Sequence, residues 1–484
     1  MEDFDVDVVA KKSVKGFFAL SSRTFLVKVL LIITNFVLTA KLEPSVFGVY
    51  VVSSSIVTFL VYFQDIGLAA SLIQKKEAIT KEELRTTFSI QQLIVLCLII
   101  PALLFSPQIA SFYHLQTSGL YLLISLLLSF FISSLKTIPT VILERNLNFN
   151  KLVIPDIVEN VTYALCLIIF VLLGFNVWAF TIAIFIRSIS GLIVIYKIQP
   201  WSIGISFDFG IFKKLVSFGL PFQTNSILAL VKDNLIMLYV ARVLPLSLVG
   251  QIGFAQKLSF LPSNLIMDNI IRITFPSYSR LQHDRAMLKN VIEKSLFLIA
   301  ILIFPIIVSF IMLSKPFILY IPLSKYRQWQ GALTSITFFS LNILIASVTV
   351  PITNFLNAIG KVKITLYLMI FATALTWIFT PIFIRIYGYN GFSFTTLLVA
   401  ASLLLIVPIA KREVSFSFFK PIVRPFLGAV VMFAYLFLTL NFINSFLLFI
   451  IEAVFGLVVY AFAMLFLARA EIKEIVSYLK SIRK

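Results

Sequence analysis

Residues 287–313 read MLKNVIEKSLFLIAILIFPIIVSFIML, and segments of this kind decide the fold. From residue 295 to residue 313 the segment carries no charged side chain. A helix needs about 20 largely apolar residues to cross the hydrocarbon core of a bilayer. The segment therefore predicts a membrane-spanning helix.

The whole chain has the same character. It has 484 residues, of which 60% are hydrophobic and 13% charged, and its mean hydropathy is +1.03. Soluble domains are about 45–50% apolar and about 25% charged, so the composition excludes a water-soluble enzyme. We predict an all-α polytopic membrane protein with about 14 transmembrane helices. The predicted spans are 15–40, 45–69, 87–112, 118–143, 152–173, 177–196, 214–241, 246–271, 287–313, 331–357, 362–385, 391–410, 421–441 and 444–468.

The connections between these spans are short, and none is long enough for a soluble domain. The longest lie at about 70–86, 197–213, 272–286 and 314–330. Within the first of them, Thr80 and Glu83 have the spacing of a capping box, which predicts a helix start at the membrane surface.

The residues that carry most enzyme chemistry are scarce. Cys97 and Cys166 both lie in apolar runs, and His114 and His283 are isolated. Two isolated cysteines and two isolated histidines exclude a disulfide framework and a metal site. We expect no catalytic residue and no cofactor. The formal net charge of +19 points to anionic lipid rather than to nucleic acid, because no nucleic-acid motif accompanies it.

The basic residues also predict an orientation. Lys and Arg are concentrated in the alternate segments that include both termini, and cytoplasmic loops carry such an excess. The opposite segments contain only Lys41, Arg242, Lys315, Lys325, Arg327 and Arg385. We therefore expect a multi-pass protein of the cytoplasmic (inner) membrane with both termini in the cytoplasm.

The chain repeats itself weakly. The sequence AKLEP at residues 40–44 resembles ARVLP at residues 241–245, and a glycine follows each, Gly48 and Gly250. Two further matches follow in the same order, which predicts two pseudo-symmetric six-helix lobes at 1–200 and 201–412. Residues 413–484 then form two extra helices and a basic tail. Parallel repeats of this kind place the substrate between two halves that rock for alternating access.

Polar side chains inside the spans are the local evidence for a site. Thr24, Lys28 and Asn35 share one face of the first span, and Asn225 and Lys232 lie in its repeat equivalent. Charges at this depth are costly unless they face protein or a water-filled cavity. We predict that each half offers one lysine to a shared cleft.

Further charges extend this prediction. Arg187 lies near the middle of its span, whereas Lys136 is near enough to the cytoplasmic end to snorkel. Lys257, Asn264, Asp268 and Arg272 fall in one narrow helical stripe, and the last two are spaced to pair. A cleft lined by Lys28, Lys232, Arg187 and Lys257 prefers an anion such as a phosphate or pyrophosphate.

The acids leave two interpretations open. Asp233 either neutralises Lys232 or takes part in ion-coupled transport. Asp268 likewise either neutralises Arg272 or takes part in ion coupling. Asp65 lies where its span ends, so a helix-end role competes with a transport role.

Several motifs together resemble the Wzx-type polysaccharide transporters of the multidrug/oligosaccharidyl-lipid/polysaccharide (MOP) superfamily. They are AKLEP at 40–44 with Phe47 and Gly48, DIGL at 65–68, LERNLNF at 143–149, FGLP at 218–221, DNL at 233–235, FPSYSRLQ at 275–282 and KYRQW at 325–329. The resemblance covers nearly the whole chain. It implies a V-shaped fold of two six-helix lobes plus two helices.

The resemblance also implies a function. Such proteins move an undecaprenyl-pyrophosphate-linked oligosaccharide across the cytoplasmic membrane for O-antigen, capsule or exopolysaccharide synthesis. A coupling H+ or Na+ gradient, a polysaccharide polymerase and a chain-length regulator are further expectations. One alternative is a MATE-like drug/cation antiporter, which would require an acidic cleft in the first half of the chain. The other is a membrane glycosyltransferase or polymerase, which would require catalytic groups in a sizeable outer loop.

Overall fold

The computed structural model describes residues 27, 29–64, 68–74, 77, 79–146, 148–213, 230–320, 326–471 and 473. Within these residues every regular element is helical, which confirms the predicted all-α class. The first nine helices are α1 (Val29–Lys41), α2 (Pro44–Val61), α3 (Leu68–Gln74), α4 (Lys81–Leu104), α5 (Ser106–Phe112), α6 (Thr117–Ser134), α7 (Thr137–Arg145), α8 (Phe149–Leu172) and α9 (Val177–Ile198).

A π-helical turn, Val231–Leu235, leads into the later helices, and a second one, Ser263–Met267, interrupts them. The later helices are α10 (Ile236–Val243), α11 (Leu246–Pro262), α12 (Asp268–Arg280), α13 (Arg285–Tyr320), α14 (Tyr326–Trp329), α15 (Ala332–Ala358), α16 (Val362–Tyr387), α17 (Asn390–Ser402), α18 (Ile406–Glu413), α19 (Phe419–Thr439) and α20 (Phe446–Leu467).

Eleven helical segments of the described residues are long and apolar enough to cross a membrane, and each corresponds to a predicted span. Half of the predicted span 15–40 and more than half of the predicted span 214–241 lie outside the described residues. The predicted span 246–271 is not among the eleven, because a π-helical turn divides it and polar residues such as Lys257 lower its hydropathy. The total of fourteen therefore stays a prediction.

Two boundary predictions are corrected. The ninth predicted span was expected to end at residue 313, but α13 continues to Tyr320, because Lys315 is exposed and does not interrupt the apolar face. Helices also occupy most of the predicted loop 272–286. The capping box is confirmed: Glu83 N donates to Thr80 Oγ1 over 3.2 Å, and Thr80 N donates to a Glu83 carboxylate oxygen over 2.9 Å.

The chain divides into two compact units, Met1–Gly250 and Gln251–Lys484. In the first unit, α9 packs against α2, α6 and α8. In the second unit, α13 packs against α15, α19 and α20, and their apolar side chains form a buried core that includes Leu296, Phe304, Phe355, Met432 and Tyr460. The lobe boundaries at 200 and 412 stay a prediction from the repeat.

The repeated AKLEP and ARVLP motifs meet in the first unit. A Cβ on Gly48 would lie 1.9 Å from the carbonyl oxygen of Leu246, and a Cβ on Gly250 would lie 1.8 Å from that of Pro44. The first turns of α2 and α11 thus cross backbone against backbone, with reciprocal contacts. Small residues at helix crossings in membranes allow this approach, and the repeat places one glycine on each side.

Candidate functional site

A break in the fourth predicted span sets up the site. The span was expected to be continuous over 118–143, but α6 ends at Ser134 and α7 begins at Thr137. Pro139 explains the break, because its ring clashes with the carbonyl of Leu135 in a straight helix and its nitrogen cannot donate. The freed Leu135 carbonyl accepts a hydrogen bond from the Tyr196 hydroxyl over 3.0 Å. Lys136 is therefore held at the break.

A buried carboxylate joins this break to two other helices. Glu159 on α8 is only 8% exposed. The ammonium of Lys136 contacts its Oε1, and Nε of Arg187 on α9 lies 3.6 Å from its Oε2. A buried carboxylate is tolerated only when charges or hydrogen bonds compensate it, and here two cations from separate helices do so.

The neighbouring helix is shaped to receive this carboxylate. Gly191 lies one turn after Arg187 on α9, and a Cβ at this position would lie 1.8 Å from Oε1 of Glu159. Any larger residue would displace the carboxyl group from its contact with Lys136. Gly191 is therefore part of the ionic cluster.

The guanidinium of Arg187 has a defined orientation. Its central carbon lies 5.5 Å from the ring centroid of the buried Tyr163, and cation–π attraction favours this arrangement. Its side chain is 39% exposed. Nε faces Glu159, and no hydrogen bond joins the two terminal nitrogens to another described residue.

The exposed side of Arg187 faces away from the apolar surface of α9. Phe185, Ile186, Ile189 and Ile193 are the exposed large apolar residues of this part of α9. They fall within an arc of about 100°, and Arg187 lies about 150° from the centre of that arc. A charge does not face hydrocarbon without a large cost, and Arg187 lies on the packed side of α9, beside the buried Ser188 and Gly191.

Two more acids lie near the cluster. Asp156, one turn before Glu159, is within electrostatic range of Glu159, Lys136 and Arg187. Glu144 lies near the end of α7, outside the spans, where burial and the neighbouring Asp156 carboxylate raise the pKa of Glu144 above its ordinary value. The cluster is thus close to charge balance, with a slight acidic excess at its cytoplasmic end under the predicted topology.

The other predicted site residues are not gathered in this way. Lys28, Thr24, Asn225 and Asp65 lie outside the described residues. The Asn35 amide donates to the Leu31 carbonyl of its own helix over 2.8 Å. The predicted cleft is therefore not tested at these positions.

Lys232 and Asp233 form an ion pair between sequence neighbours in the first π-helical turn. The Lys232 side chain is 28% exposed and that of Asp233 is 58% exposed. This geometry supports the structural interpretation of Asp233 over ion coupling. It also reduces the positive charge that Lys232 offers to a ligand.

The predicted stripe Lys257, Asn264, Asp268 and Arg272 is exposed along its whole length, as a shared face requires. The spacing of Asp268 and Arg272 was expected to bring them together. Both residues are exposed, and no ion pair joins these two described residues.

Sequence reasoning missed Glu159, Asp156, Tyr163 and Gly191. It also treated Lys136 as a residue free to snorkel, whereas Lys136 contacts Glu159 and its side chain is only 16% exposed. A signal was available: three consecutive predicted spans each carry charged residues within their limits, Lys136, Glu159 (with Asp156) and Arg187. Opposite charges on adjacent spans predict a pair.

Known proteins resemble this chain in sequence. A family model described as "Polysaccharide biosynthesis protein" matches residues 37–334, more than half of the chain. The succinoglycan biosynthesis transport protein ExoT of Rhizobium meliloti (strain 1021) is 21% identical over 284 residues, or 58% of this chain. This match spans only 56% of the length of ExoT. The lipopolysaccharide biosynthesis protein WzxC of Escherichia coli (strain K12) is 23% identical over 70% of this chain and 68% of its own.

Solved structures share the fold. The lipid II flippase MurJ, in an inward closed conformation, covers 94% of this chain and 100% of its own, with a TM-score of 0.79 and 18% identity. An inward-facing multidrug resistance MATE family transporter of the MOP superfamily covers 80% of this chain and 95% of its own, with a TM-score of 0.64 and 14% identity. The chain therefore belongs to the polysaccharide biosynthesis protein family, as its resemblance to the Wzx-type transporters predicts, and it is a multi-pass membrane protein that shares its fold with MurJ and the MATE transporter.

Proposed function

We propose that this protein is a flippase that moves an undecaprenyl-pyrophosphate-linked oligosaccharide repeat unit from the inner to the outer leaflet of the cytoplasmic membrane. The product would feed synthesis of a surface polysaccharide. Family membership and the names of the relatives, a transport protein and a lipopolysaccharide biosynthesis protein, support this proposal. The similarity of fold to a lipid II flippase along the whole chain is consistent with it.

The observation that carries the proposal is the exposed guanidinium of Arg187 at membrane depth. Its terminal nitrogens are donors in a fixed fork, which matches the oxygens of a phosphate. Glu159 and Tyr163 hold the guanidinium from behind, so its free donors are presented without a further cost of ordering. We propose that Arg187 receives the pyrophosphate, while the sugars occupy a polar cavity and the prenyl chain stays in lipid.

The remaining predicted contacts are part of the same proposal. Lys28, Lys257, Thr24, Asn35 and Asn225 would line the polar path, and Lys232 would contribute only if its pair with Asp233 opens. The two repeat halves would rock for alternating access. Coupling to an H+ or Na+ gradient through Asp65, Asp233 or Asp268 stays a prediction, as do a polymerase and a chain-length regulator as partners and a cytoplasmic position for both termini.

The cation antiporter is the rival of the same fold. An antiporter of cationic drugs would need an unneutralised acid in the first half of the chain to bind its substrate. Among the described residues of that half, Lys136 and Arg187 compensate the buried Glu159, and Asp156 beside it adds a further acid. The preference for an anionic substrate therefore rests on the exposed side chain of Arg187 and not on the net charge of the cluster. The enzyme alternatives receive no support from the relatives, which are named as transport and biosynthesis proteins.

A deletion strain tests the function directly. We expect loss of surface polysaccharide and accumulation of the lipid-linked precursor in the inner leaflet, where an impermeant reagent added outside cannot reach it. Arg187→Glu is expected to fail to complement at equal protein level, whereas Lys363→Glu, an exposed charge in the first turn of α16 at the end of its span, complements fully. Accumulation in the outer leaflet would instead place the protein after the flipping step and overturn the proposal.

A further inference from the structure

An extended segment after α9 presents an unusual apolar edge. Residues 201–208 are not helical, and a helical turn begins at residue 209. In this segment Ile203, Ile205, Phe207 and Phe209 are 56%, 89%, 62% and 68% exposed. Side chains two apart along an extended chain point the same way. We call these four residues the apolar edge.

The opposite side of the segment is fixed to α4. The Ser206 amide donates to the Ser89 hydroxyl over 3.1 Å, and Gly204 lies against the side chain of Arg85. At the start of the segment, the Trp201 ring packs edge-on against Phe88 with 5.1 Å between centroids. The apolar edge is therefore held outward by contacts on its other side.

The segment also has a fixed end. Asp208 accepts a hydrogen bond from the Ile211 amide over 2.7 Å, which caps the following turn. Ile211 and Phe212 pack against the buried cluster of Leu68, Leu72, Ile90 and Val141. The rings of Phe207 and Phe209 lie 6.0 and 6.1 Å from that of Phe212. The apolar edge is thus a fixed part of the first unit, although its side chains stay largely exposed.

The position of the segment along α4 indicates what covers the edge. α4 has 24 residues and is thus about 36 Å long, which exceeds the roughly 30 Å of a hydrocarbon core. Its first two turns carry Lys81, Glu82, Glu83 and Arg85 and therefore lie in the headgroup region. Ser89 lies about 6 Å beyond Arg85 along the helix, at the hydrocarbon boundary. The segment, which runs from the level of Arg85 to that of Ser89, lies at this boundary.

We propose that residues 203–209 form an interfacial anchor whose apolar edge inserts into the acyl chains of one leaflet, the cytoplasmic one under the predicted topology. The occupant is the phospholipid bilayer itself. An extended segment without a strand partner leaves backbone groups to water, so it lies along the interface and not in the hydrocarbon. Lys197 and Lys213, both exposed, flank it where phosphate headgroups lie. The anchor fixes the link between the sixth span and the following helices to the membrane plane.

Site-directed fluorescence tests this anchor without relying on transport. In a Cys97→Ser/Cys166→Ser background, single cysteines at Ile205 and Phe207 receive an environment-sensitive fluorophore, and the full-length protein is reconstituted in phosphatidylcholine/phosphatidylglycerol vesicles. Leu438 on α19, 71% exposed, serves as the lipid-facing control, and the exposed Glu82 as the aqueous control. We expect brominated acyl chains to quench the fluorophore at positions 205 and 207 at least threefold more than iodide does. The fluorophore at Leu438 should behave in the same way, and the fluorophore at Glu82 should be quenched more by iodide than by brominated acyl chains.

Two results would overturn the proposal. Stronger quenching by iodide than by bromolipid at 205 and 207 would place the edge in water. Quenching by neither would mean that protein covers it, including a second copy of this chain. Phe207→Trp, a conservative change read by bromolipid quenching of tryptophan fluorescence relative to the parent protein, repeats the test if a labelled variant folds poorly. Neither failure bears on the proposed flippase activity.

Discussion

The Glu159 cluster and the Lys232–Asp233 pair use the same chemistry in different surroundings. Glu159 is buried, its cationic partners come from two other segments, and Gly191 leaves space for its carboxyl group. Lys232 and Asp233 are sequence neighbours in a π-helical turn, and Asp233 is more than half exposed. The first arrangement ties three helical segments together, and the second ties none.

This difference has an energetic consequence. Removing one partner of a buried ion pair costs about 3–5 kcal/mol because an uncompensated charge stays behind. An exposed pair contributes only about 0–1 kcal/mol. We therefore expect the Glu159 cluster to support both stability and the orientation of Arg187, and the Lys232–Asp233 pair to be dispensable for folding.

The largest expected effect is that of Glu159→Gln. The amide keeps the shape of the side chain but leaves Lys136 and Arg187 without their shared counter-charge, so we expect a loss of about 3–5 kcal/mol. Thermal unfolding of the purified protein in lipid nanodiscs measures it. If Glu159→Gln lowered the melting temperature no more than Asp233→Asn does, the contrast between the two regions would be contradicted.

Gly191→Ala is expected to rank second. The added methyl group occupies the place of the Glu159 carboxyl group, and overpacking of this kind costs about 1–3 kcal/mol. A double-mutant cycle with Glu159→Ala isolates the contact. The cost of the alanine at 191 should largely vanish once the carboxyl group is gone, and an unchanged cost in both backgrounds would show that Gly191 acts through something else.

Tyr196→Phe probes the support of Lys136. The change removes the donor to the Leu135 carbonyl that Pro139 leaves free, and we expect a loss of about 1 kcal/mol. Tyr62→Phe, an exposed position, is the matched control. Equal melting temperatures for the two variants would mean that water satisfies the carbonyl equally well.

Asp233→Asn has the smallest expected effect, below about 1 kcal/mol. The same melting measurement checks it, and the charge that remains on Lys232 sharpens the functional comparison. If Lys232 joins the anion path, Asp233→Asn should tighten binding of a pyrophosphate-linked lipid in a fluorescence titration. Weaker binding would assign Asp233 itself to the path.

The span positions were predictable because the bilayer imposes one length and one polarity on every crossing helix. The predicted spans 177–196 and 331–357 correspond to Val177–Ile198 and Ala332–Ala358 with small boundary shifts. The end of α13 was missed because a single exposed lysine, Lys315, resembles a loop signal. The break at Lys136 was missed although Pro139 stands in the sequence, because many prolines in this chain lie inside continuous helices.

The cluster was less predictable for a different reason. Helical periodicity connects residues three, four and seven apart, and it groups Lys257, Asn264, Asp268 and Arg272, all of which are exposed. Their single stripe stays a prediction, because the π-helical turn Ser263–Met267 lies within it. Glu159 lies 23 and 28 residues from its two partners, which are on other segments. Only packing between helices reveals such contacts, so Arg187 was predicted as a site residue without the residues that position it.

The most direct test of Arg187 as the anion-binding residue is flipping by the purified protein in vesicles. A fluorescent undecaprenyl-pyrophosphate-linked oligosaccharide would be placed in both leaflets, and an impermeant reductant would report how fast the protected inner pool reaches the outside. We predict that Arg187→Gln slows this rate more than tenfold, that Arg187→Lys retains part of it, and that Lys363→Gln leaves it unchanged. A folded Arg187→Gln variant that flips the lipid at the parent rate would contradict the role proposed for Arg187 and its cluster.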